Sequence, residues 1–461
     1  MHMQNKITDY KEFFKNKKIT VMGLGLLGRG VGDAVFLAEC GAKLIVTDLK
    51  NKEELKKSLR KLKKFKDIKY VLGEHKLEDF RNADLVLKNP AIPLDSIYIK
   101  EARKNKIPVE MSATLFAKFF SMPIVAVTGT RGKSTVTHLI AHILESAGKK
   151  IILGGNVRSV SNLQLLKNLK NKELAVFELD SWQLQGFGDS KISPNISVFT
   201  TFFPDHMGYY GSTTLTTGKA MKKYFADKAN IFKYQKKEDL LIVGKQALPF
   251  VKKWQEKNNK KIKSKIIVPK EKLSKNWKFN LPGLHNEYNA QLAIQAAQQL
   301  GVKDAVIKKA LKNFKGVSGR LEFIREVNGV KYYNDTTATT PEATIAGIEA
   351  LRQDLRGKNI ILILGGSDKR LDMNALIKEI PKYCKAVVFI PGSGTEKLLK
   401  NYDLKIPNQI GKNLKDVIKT ALGLASRGDI ILFSPAFASF GMFKNEFDRG
   451  DQFMKIVKSL K

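Results

Sequence analysis

The chain has 461 residues, of which 81 are Lys or Arg and 44 are Asp or Glu, a formal net charge of +37. At about 150 residues per domain, this length predicts three domains, each able to bury its own core. A composition of 43% hydrophobic and 27% charged residues excludes disordered, collagen-like and coiled-coil chains. Cys40 and Cys384 are the only cysteines, too far apart in sequence for a CxxC pair, which excludes a disulfide framework and a cysteine-based zinc site. The opening stretch MHMQNKITDYKEFFKNKK has no apolar h-region, and no run approaches the roughly 18 to 20 apolar residues of a membrane span. A cytoplasmic protein without membrane insertion is therefore expected. Lysine is spread along the whole chain, so the charge reads as a solvated surface that attracts anions, and no nucleic-acid partner is expected.

Taken in chain order, KITVMG reads as a strand, GLGLLGRG as a glycine turn, VGDAVFLAECG as a helix ending at Gly41, and KLIVTD as a second strand. Weaker strands follow at KYVLG and DLVLKNP. The pattern restarts at PIVAVTGTRGKSTVTHLIAHILESAG with a strand, a glycine-rich loop and an amphipathic helix stopped at Gly148. KIILGG, LAVFEL, ISVFTTF and LLIVG are further strands, and a lysine-rich helical stretch surrounds Tyr224–Tyr234. LPGLHNEYNAQLAIQAAQQLG reads as a Pro-Gly turn entering a helix, and FKGVSGR as a hinge. LEFIREVNGVKYYND then reads as a hairpin turning at Asn328-Gly329. NIILILGGSDK, AVVFIPGSG and DIILFSPAFASFG are three strands, each running into a loop of small residues where an α/β sheet presents its ligand crevice. Domain boundaries are expected near 120 and 318, giving α/β domains over 1–120, 121–318 and 319–461.

The segment VTGTRGKST, residues 127–135, carries the clearest chemistry. Small residues after a strand let backbone N–H groups surround a phosphate, and Lys133 can reach the terminal phosphates. Ser134 or Thr135 can ligate Mg²⁺, and the next helix points its positive end at the anion. The spacing is shorter than GxxxxGK[ST], because Gly129 lies only three residues before Gly132. The first loop, Gly23 to Gly28, has the GxGxxG form with Asp48 closing the next strand, a turn able to hold any nucleotide diphosphate. Two phosphate loops point to two nucleotides, one hydrolysed at Lys133 and one serving as a handle on the substrate. Glu178 ends an apolar strand, and His206 follows another beside Asp205; with Ser134 they could hold Mg²⁺ against ATP phosphates. Lys228, on a helix, is on residue chemistry alone one lysine among many. Asn286 and Asn289 share a face of a helix start, where they could cap the helix or hold an adenine.

In order along the chain, GLGLLG, NPAIP, GTRGKST, GGN, FELDSWQL, DHM, GLHNEYNA, NDTTAT, LGGSDK and SPAFASFGMFKNEFDRG resemble the Mur ligases, the ATP-dependent amide-forming enzymes of peptidoglycan precursor synthesis. The last stretch favours the branch that adds D-glutamate to UDP-N-acetylmuramoyl-L-alanine; the alternatives are a sibling ligase using another amino acid or a polyglutamate-synthetase relative. A nucleic-acid-binding ATPase or a nicotinamide-dependent oxidoreductase would leave the ordered motif set unexplained. The resemblance implies an amino-terminal Rossmann-like domain, a central P-loop-type ATPase domain with a mostly parallel sheet, and a carboxy-terminal Rossmann-like domain, in a chain expected to act as a monomer. It implies that Gly129, Thr130, Arg131, Gly132, Lys133, Ser134 and Thr135 bind ATP, with Asn286, Asn289, Arg320 and Asp335. Mg²⁺ would be held by Ser134, Glu178, His206 and a carbamylated Lys228. Gly25, Leu26, Leu27, Gly28, Asp48, Asn89 and Asn156 would take the UDP-sugar, and Lys369, Ser439 and Phe440 the D-glutamate. The chain departs from the family pattern at Arg131, Asp180, Gly319, Thr337 and Glu446-Phe447.

Overall fold

The computed structural model describes residues 9–460 apart from 27, 212–216, 260 and 353–356. They form two compact units, one comprising the chain up to Glu271 with Gln291–Ala310, the other Lys272–Ala290 with Leu311 onward.

The first unit holds two parallel sheets. Strands β1 (Lys18–Met22), β2 (Lys43–Asp48), β3 (Lys69–Leu72), β4 (Leu85–Lys88) and β5 (Val109–Glu110) lie in the order β3-β2-β1-β4-β5. Four of the five residues of β1 are buried, as expected for a strand covered on both faces. The strand order reverses beside β1, which opens a crevice at its carboxyl end, where the first glycine loop begins. The second sheet contains β6 (Ile124–Thr128), β7 (Ile151–Gly155), β8 (Leu174–Glu178), β9 (Ile196–Phe199), β10 (Leu240–Val243) and β11 (Lys265–Ile267), ordered β11-β10-β9-β6-β8-β7. Here β6 is flanked by β8 and β9 in parallel register, so the loop after β6 sits between the carboxyl ends of both neighbours. One continuous core serves both sheets. It runs from Val21 and Phe36 through Phe119 and Phe116 to Phe177, whose ring centroid lies 4.8 Å from that of Phe116. Removing a ring as enclosed as Phe116 costs about 3–5 kcal/mol.

The second unit is built on β12 (Glu322–Val327), β13 (Val330–Asn334), β14 (Ile360–Gly365), β15 (Cys384–Ile390), β16 (Asn408–Ile410) and β17 (Ile430–Phe433), in the order β12-β13-β17-β14-β15-β16. Only β12 runs antiparallel to its neighbour. It pairs with β13 through a turn in which Asn328 and Gly329 both have positive φ, 52° and 79°, the backbone that the Asn-Gly pair predicts.

The three α/β sheets are those expected from the sequence. Three short strands, β5, β11 and β16, were not legible there: they are edge strands of two or three residues without a buried apolar run. The lysine-rich helix spans Thr217–Ala229 and stops before Tyr234, because the chain turns at Asn230 to give its side-chain amide to Leu184 O. Among the described residues no helix is long and apolar enough to cross a membrane.

Candidate active site

Gly129 leaves β6 with φ 144°, and a Cβ there would lie 2.0 Å from Thr200 Oγ1, so the loop tolerates only glycine at this point. Thr200 and Thr201 bind the loop closely. Thr130 N–H donates to Thr201 O at 2.7 Å, Arg131 N–H to Thr201 Oγ1 at 3.0 Å, and Thr200 Oγ1 to Arg131 O at 2.5 Å. The Arg131 side chain pairs with Asp205 at 3.0 Å. Gly132 ends the loop with φ 85° and caps the helix Lys133–Ser146, whose first turn has no side-chain cap, leaving its N–H groups to an anion. Lys133 Nζ donates to Gly129 O and Thr130 O at 3.0 and 3.1 Å. Ser134 Oγ donates to Glu178 Oε2 at 2.6 Å, and Thr135 is buried one residue on.

Lys228 is the least expected member of this group. Only 1% exposed, it donates from Nζ to Gly129 O at 2.9 Å and Thr128 Oγ1 at 3.4 Å, and lies 4.9 Å from the Tyr224 ring centroid. Burial, reinforced by nearby Lys133, pushes its amine well below the usual lysine range, so a neutral, nucleophilic form is accessible. His206 has φ 55° and lies against Trp182, ring centroids 4.8 Å apart; burial lowers its pKa too. Ser134 and Glu178 are hard oxygen donors, and no group of three His, Cys, Asp or Glu side chains converges among the described residues. That donor set fits Mg²⁺, which keeps water and takes phosphate oxygens as its remaining ligands. Asp180 accepts from Gln183 N–H at 2.7 Å in a capping box that starts the helix Ser181–Asp189.

The first glycine loop is held differently. Asp48 accepts from Gly25 N–H at 3.0 Å and from Lys50 N–H at 2.9 Å, and Asn89 donates to Gly23 O at 3.5 Å. Gly28 caps the helix Arg29–Glu39, Leu26 is exposed, and Leu27 lies outside the described residues. Asn156 joins the two loops: Arg29 Nη1 donates to its Oδ1 at 2.5 Å, and its Nδ2 donates to Glu178 Oε1 at 3.2 Å. Lys88, the buried last residue of β4, donates to the carbonyls of Asn89, Pro90 and Ile92. Burial lowers its pKa to about 7.

In the second unit, buried Asp335 accepts from Leu321 N–H at 3.0 Å and Ser434 Oγ at 2.8 Å, and burial raises its pKa to about 7. Arg320 follows the hinge, with its N–H on Val317 O. Asn286 and Asn289 are both buried on the first turns of the helix Leu284–Gln299, 3.4 Å apart, with Asn286 Nδ2 on Pro282 O. Lys369 is exposed and reaches Thr339 O at 3.3 Å. Its loop is tied to that of Ser439 and Phe440 by Ser367, which pairs with Ala438 and donates to Phe440 O at 2.5 Å. Arg449, fully buried, donates to Thr336 O, Thr336 Oγ1 and Phe437 O and so fixes both sides of that region.

Sequence reasoning missed Thr200, Thr201, Arg29, Lys88 and Arg449. The threonine pair had a signal, since it directly follows an apolar strand much as Glu178 ends one, and Arg449 lies within the SPAFASFGMFKNEFDRG stretch; Arg29 and Lys88 had no signal in so lysine-rich a chain.

Known proteins resemble this chain along nearly its whole length. The family models described as Mur ligase MurD-like N-terminal domain, Mur ligase middle domain, and Mur ligase glutamate ligase domain match residues 17–110, 127–297 and 319–437. A UDP-N-acetylmuramoylalanine–D-glutamate ligase of Borreliella afzelii is 37% identical, the match covering 97% of this chain and 98% of that protein. One from Acetivibrio thermocellus is 32% identical over 99% of this chain and all of that protein. Among solved structures, the MurC ligase of Thermotoga maritima superposes with a TM-score of 0.60 at 21% identity, covering 97% of this chain and all of that one. MurF from the same organism, in complex with ADP, gives 0.57 at 15% identity over 99% of this chain and 98% of that one. The three family models follow one another in order along the chain, the curated relatives match it over nearly their whole length, and the chain belongs to the Mur ligase family.

Proposed function

We propose that this chain joins D-glutamate to UDP-N-acetylmuramoyl-L-alanine at the expense of ATP, a step in building peptidoglycan precursors, and that it does so in the cytoplasm as a monomer. The observation that carries the reading is the cluster at the end of β6: Lys133, the Ser134–Glu178 pair and a buried Lys228 around one glycine loop.

A carboxylate is a poor electrophile, so amide formation in water needs activation. In this reading the L-alanyl carboxylate attacks the γ-phosphorus of ATP, releasing ADP and leaving an acyl phosphate. The D-glutamate amine then attacks the acyl carbon, loses a proton, and the tetrahedral intermediate expels orthophosphate. Lys133 exchanges its loop carbonyls for phosphate oxygens, and the uncapped helix start receives the same anion. Gly129 to Gly132 and Thr135 wrap the phosphates, Asn286 and Asn289 hold adenine, and Arg320 and Asp335 contact the phosphate and ribose region. Ser134, Glu178, His206 and carbamylated Lys228 would hold Mg²⁺, which neutralises charge on the transferring group. Lys228 can become an anionic ligand because its neutral amine adds to CO₂ and releases a proton. Gly25 to Gly28, Asp48, Asn89 and Asn156 hold the UDP-sugar, and Lys369, Ser439 and Phe440 the incoming dicarboxylate.

The test is orthophosphate release from the purified protein. Release is expected only with ATP, the UDP-sugar and D-glutamate together, and Lys133→Ala should lower it about 1000-fold with Tm unchanged. Equal release with L-glutamate, L-alanine or diaminopimelate, or in the absence of the UDP-sugar, would overturn the assignment.

A further inference from the structure

Arg29 is the first residue of the helix that follows the amino-terminal glycine loop. Its Nη1 donates to Asn156 Oδ1 at 2.5 Å and its Nη2 to Asn156 O at 3.4 Å, while Nε is enclosed without a hydrogen-bond partner among the described residues. Among the described residues, both hydrogen bonds of this guanidinium go to one residue. Asn156 in turn donates its side-chain amide to Glu178 Oε1 at 3.2 Å and its backbone N–H to Glu178 O at 2.6 Å. The other carboxylate oxygen accepts from Ser134. Four side chains thus run unbroken from one phosphate loop to the other.

The chemistry of the middle member gives the chain its meaning. A carboxamide has one accepting end and one donating end, and rotating it by half a turn exchanges them. A guanidinium only donates, so it draws Oδ1 toward itself and leaves Nδ2 facing Glu178. The reversed amide would set oxygen against carboxylate and NH₂ against guanidinium, two repulsive contacts. We propose that Arg29 is a positioning residue for phosphoryl transfer, fixing the Asn156 amide so that Glu178 keeps the orientation it shares with Ser134. The proposal rests on the reading that Ser134 and Glu178 bind the metal of ATP. It goes beyond that reading by giving the amino-terminal glycine loop's helix a role in setting the metal ligands.

The reach of Arg29 is set by contacts that do not involve its side chain. Asp33, one turn later, accepts from Ser161 Oγ at 2.6 Å and Leu163 N–H at 3.4 Å, and Gln164 Nε2 donates to Gly32 O at 3.0 Å. Variants at position 29 should therefore fold. Gln can both donate and accept, so it cannot select one amide orientation; Lys can only donate, and can.

The experiment measures Mn²⁺ affinity by electron paramagnetic resonance in the presence of a non-hydrolysable ATP analogue, alongside kcat. Arg29→Gln should weaken Mn²⁺ binding and lower kcat, each about 10-fold, as loss of a residue that orients a metal ligand typically does. Arg29→Lys should recover most of both, and Arg29→Gln combined with Asn156→Ala should be no worse than Asn156→Ala alone. Unchanged Mn²⁺ affinity in Arg29→Gln, additive losses in the double variant, or Lys performing as poorly as Gln would overturn the proposal. Wild-type phosphate release that needs D-glutamate tests the underlying reaction separately: an active enzyme with an additive cycle loses the relay and keeps the reaction.

Discussion

The two glycine loops of the first unit end in the same backbone. Gly28 and Gly132 both have φ 85° and ψ −12°, and both start a helix without a side-chain cap. Their surroundings differ. A Cβ on Gly28 would meet nothing within 4 Å, whereas the loop ending at Gly132 is enclosed by Thr200, Thr201 and Asp205 and has a buried lysine beneath it. The first loop is held at its start, by Asn89 on Gly23 and by Asp48 and Ser58 on Gly25, and has space around its last glycine; the second is built into its neighbours up to the helix. The same turn can hold an anion in either setting, but phosphoryl transfer calls for fixed surroundings, and the enclosed loop is the one that offers them on every side.

The comparison would break most visibly at Gly129. Gly129→Ala sets a methyl group 2.0 Å from Thr200 Oγ1 at a φ of 144°, and should cost about 3 kcal/mol of stability with loss of phosphate release, read by denaturant melts and a coupled assay. Lys228→Met should lower kcat about 100-fold, because it removes the amine that can become an anionic ligand, with a smaller fall in Tm from the hydrogen bonds lost at Gly129 O and Thr128 Oγ1. With ¹³C-bicarbonate, the wild type should give a carbamate resonance that the variant lacks. Gly28→Ala sharpens the contrast from the open side: with no clash, only the left-handed backbone resists, about 1–2 kcal/mol, and the expected kinetic effect is a higher KM for the UDP-sugar at unchanged kcat.

The smallest effect expected is a pH dependence at Asp33, on the helix of the open loop. Burial raises its pKa to about 6 from 3.8, against hydrogen bonds from Ser161, Ser112 and Leu163 N–H that lower it. The folded state binds this proton more tightly than the unfolded state, so its contribution is complete below about pH 3.8 and is lost as the pH rises through about 6. Asp33→Asn should flatten that part of the stability profile in urea melts at stepped pH.

The sequence reveals whatever is carried by contiguous residues. Apolar runs ending in glycine or a carboxylate reveal β1, β6 and β8, and the nine residues VTGTRGKST suffice to mark the glycine loop between β6 and its helix. Contacts between distant segments leave no such trace. Arg29 and Asn156 are 127 residues apart, and nothing in either segment names the other. Lys88 and Lys228 are indistinguishable by sequence chemistry from dozens of solvated lysines; what sets them apart is burial, a property of the assembled fold. The Asp180 departure from the family pattern is intelligible locally, since Asp and Gln three apart make a capping box, yet as a sequence feature it reads equally well as a change at the metal.

The continuous aromatic core beneath the first two sheets has a consequence for how this chain can be divided. Phe14, Phe36 and Phe119 pack with one another in the same cluster that holds Phe116 against Phe177. A cut near residue 120 would expose that cluster on both fragments. Two modules that look separable in a linear map therefore share one melting unit, and neither would survive the other's removal as a well-behaved protein.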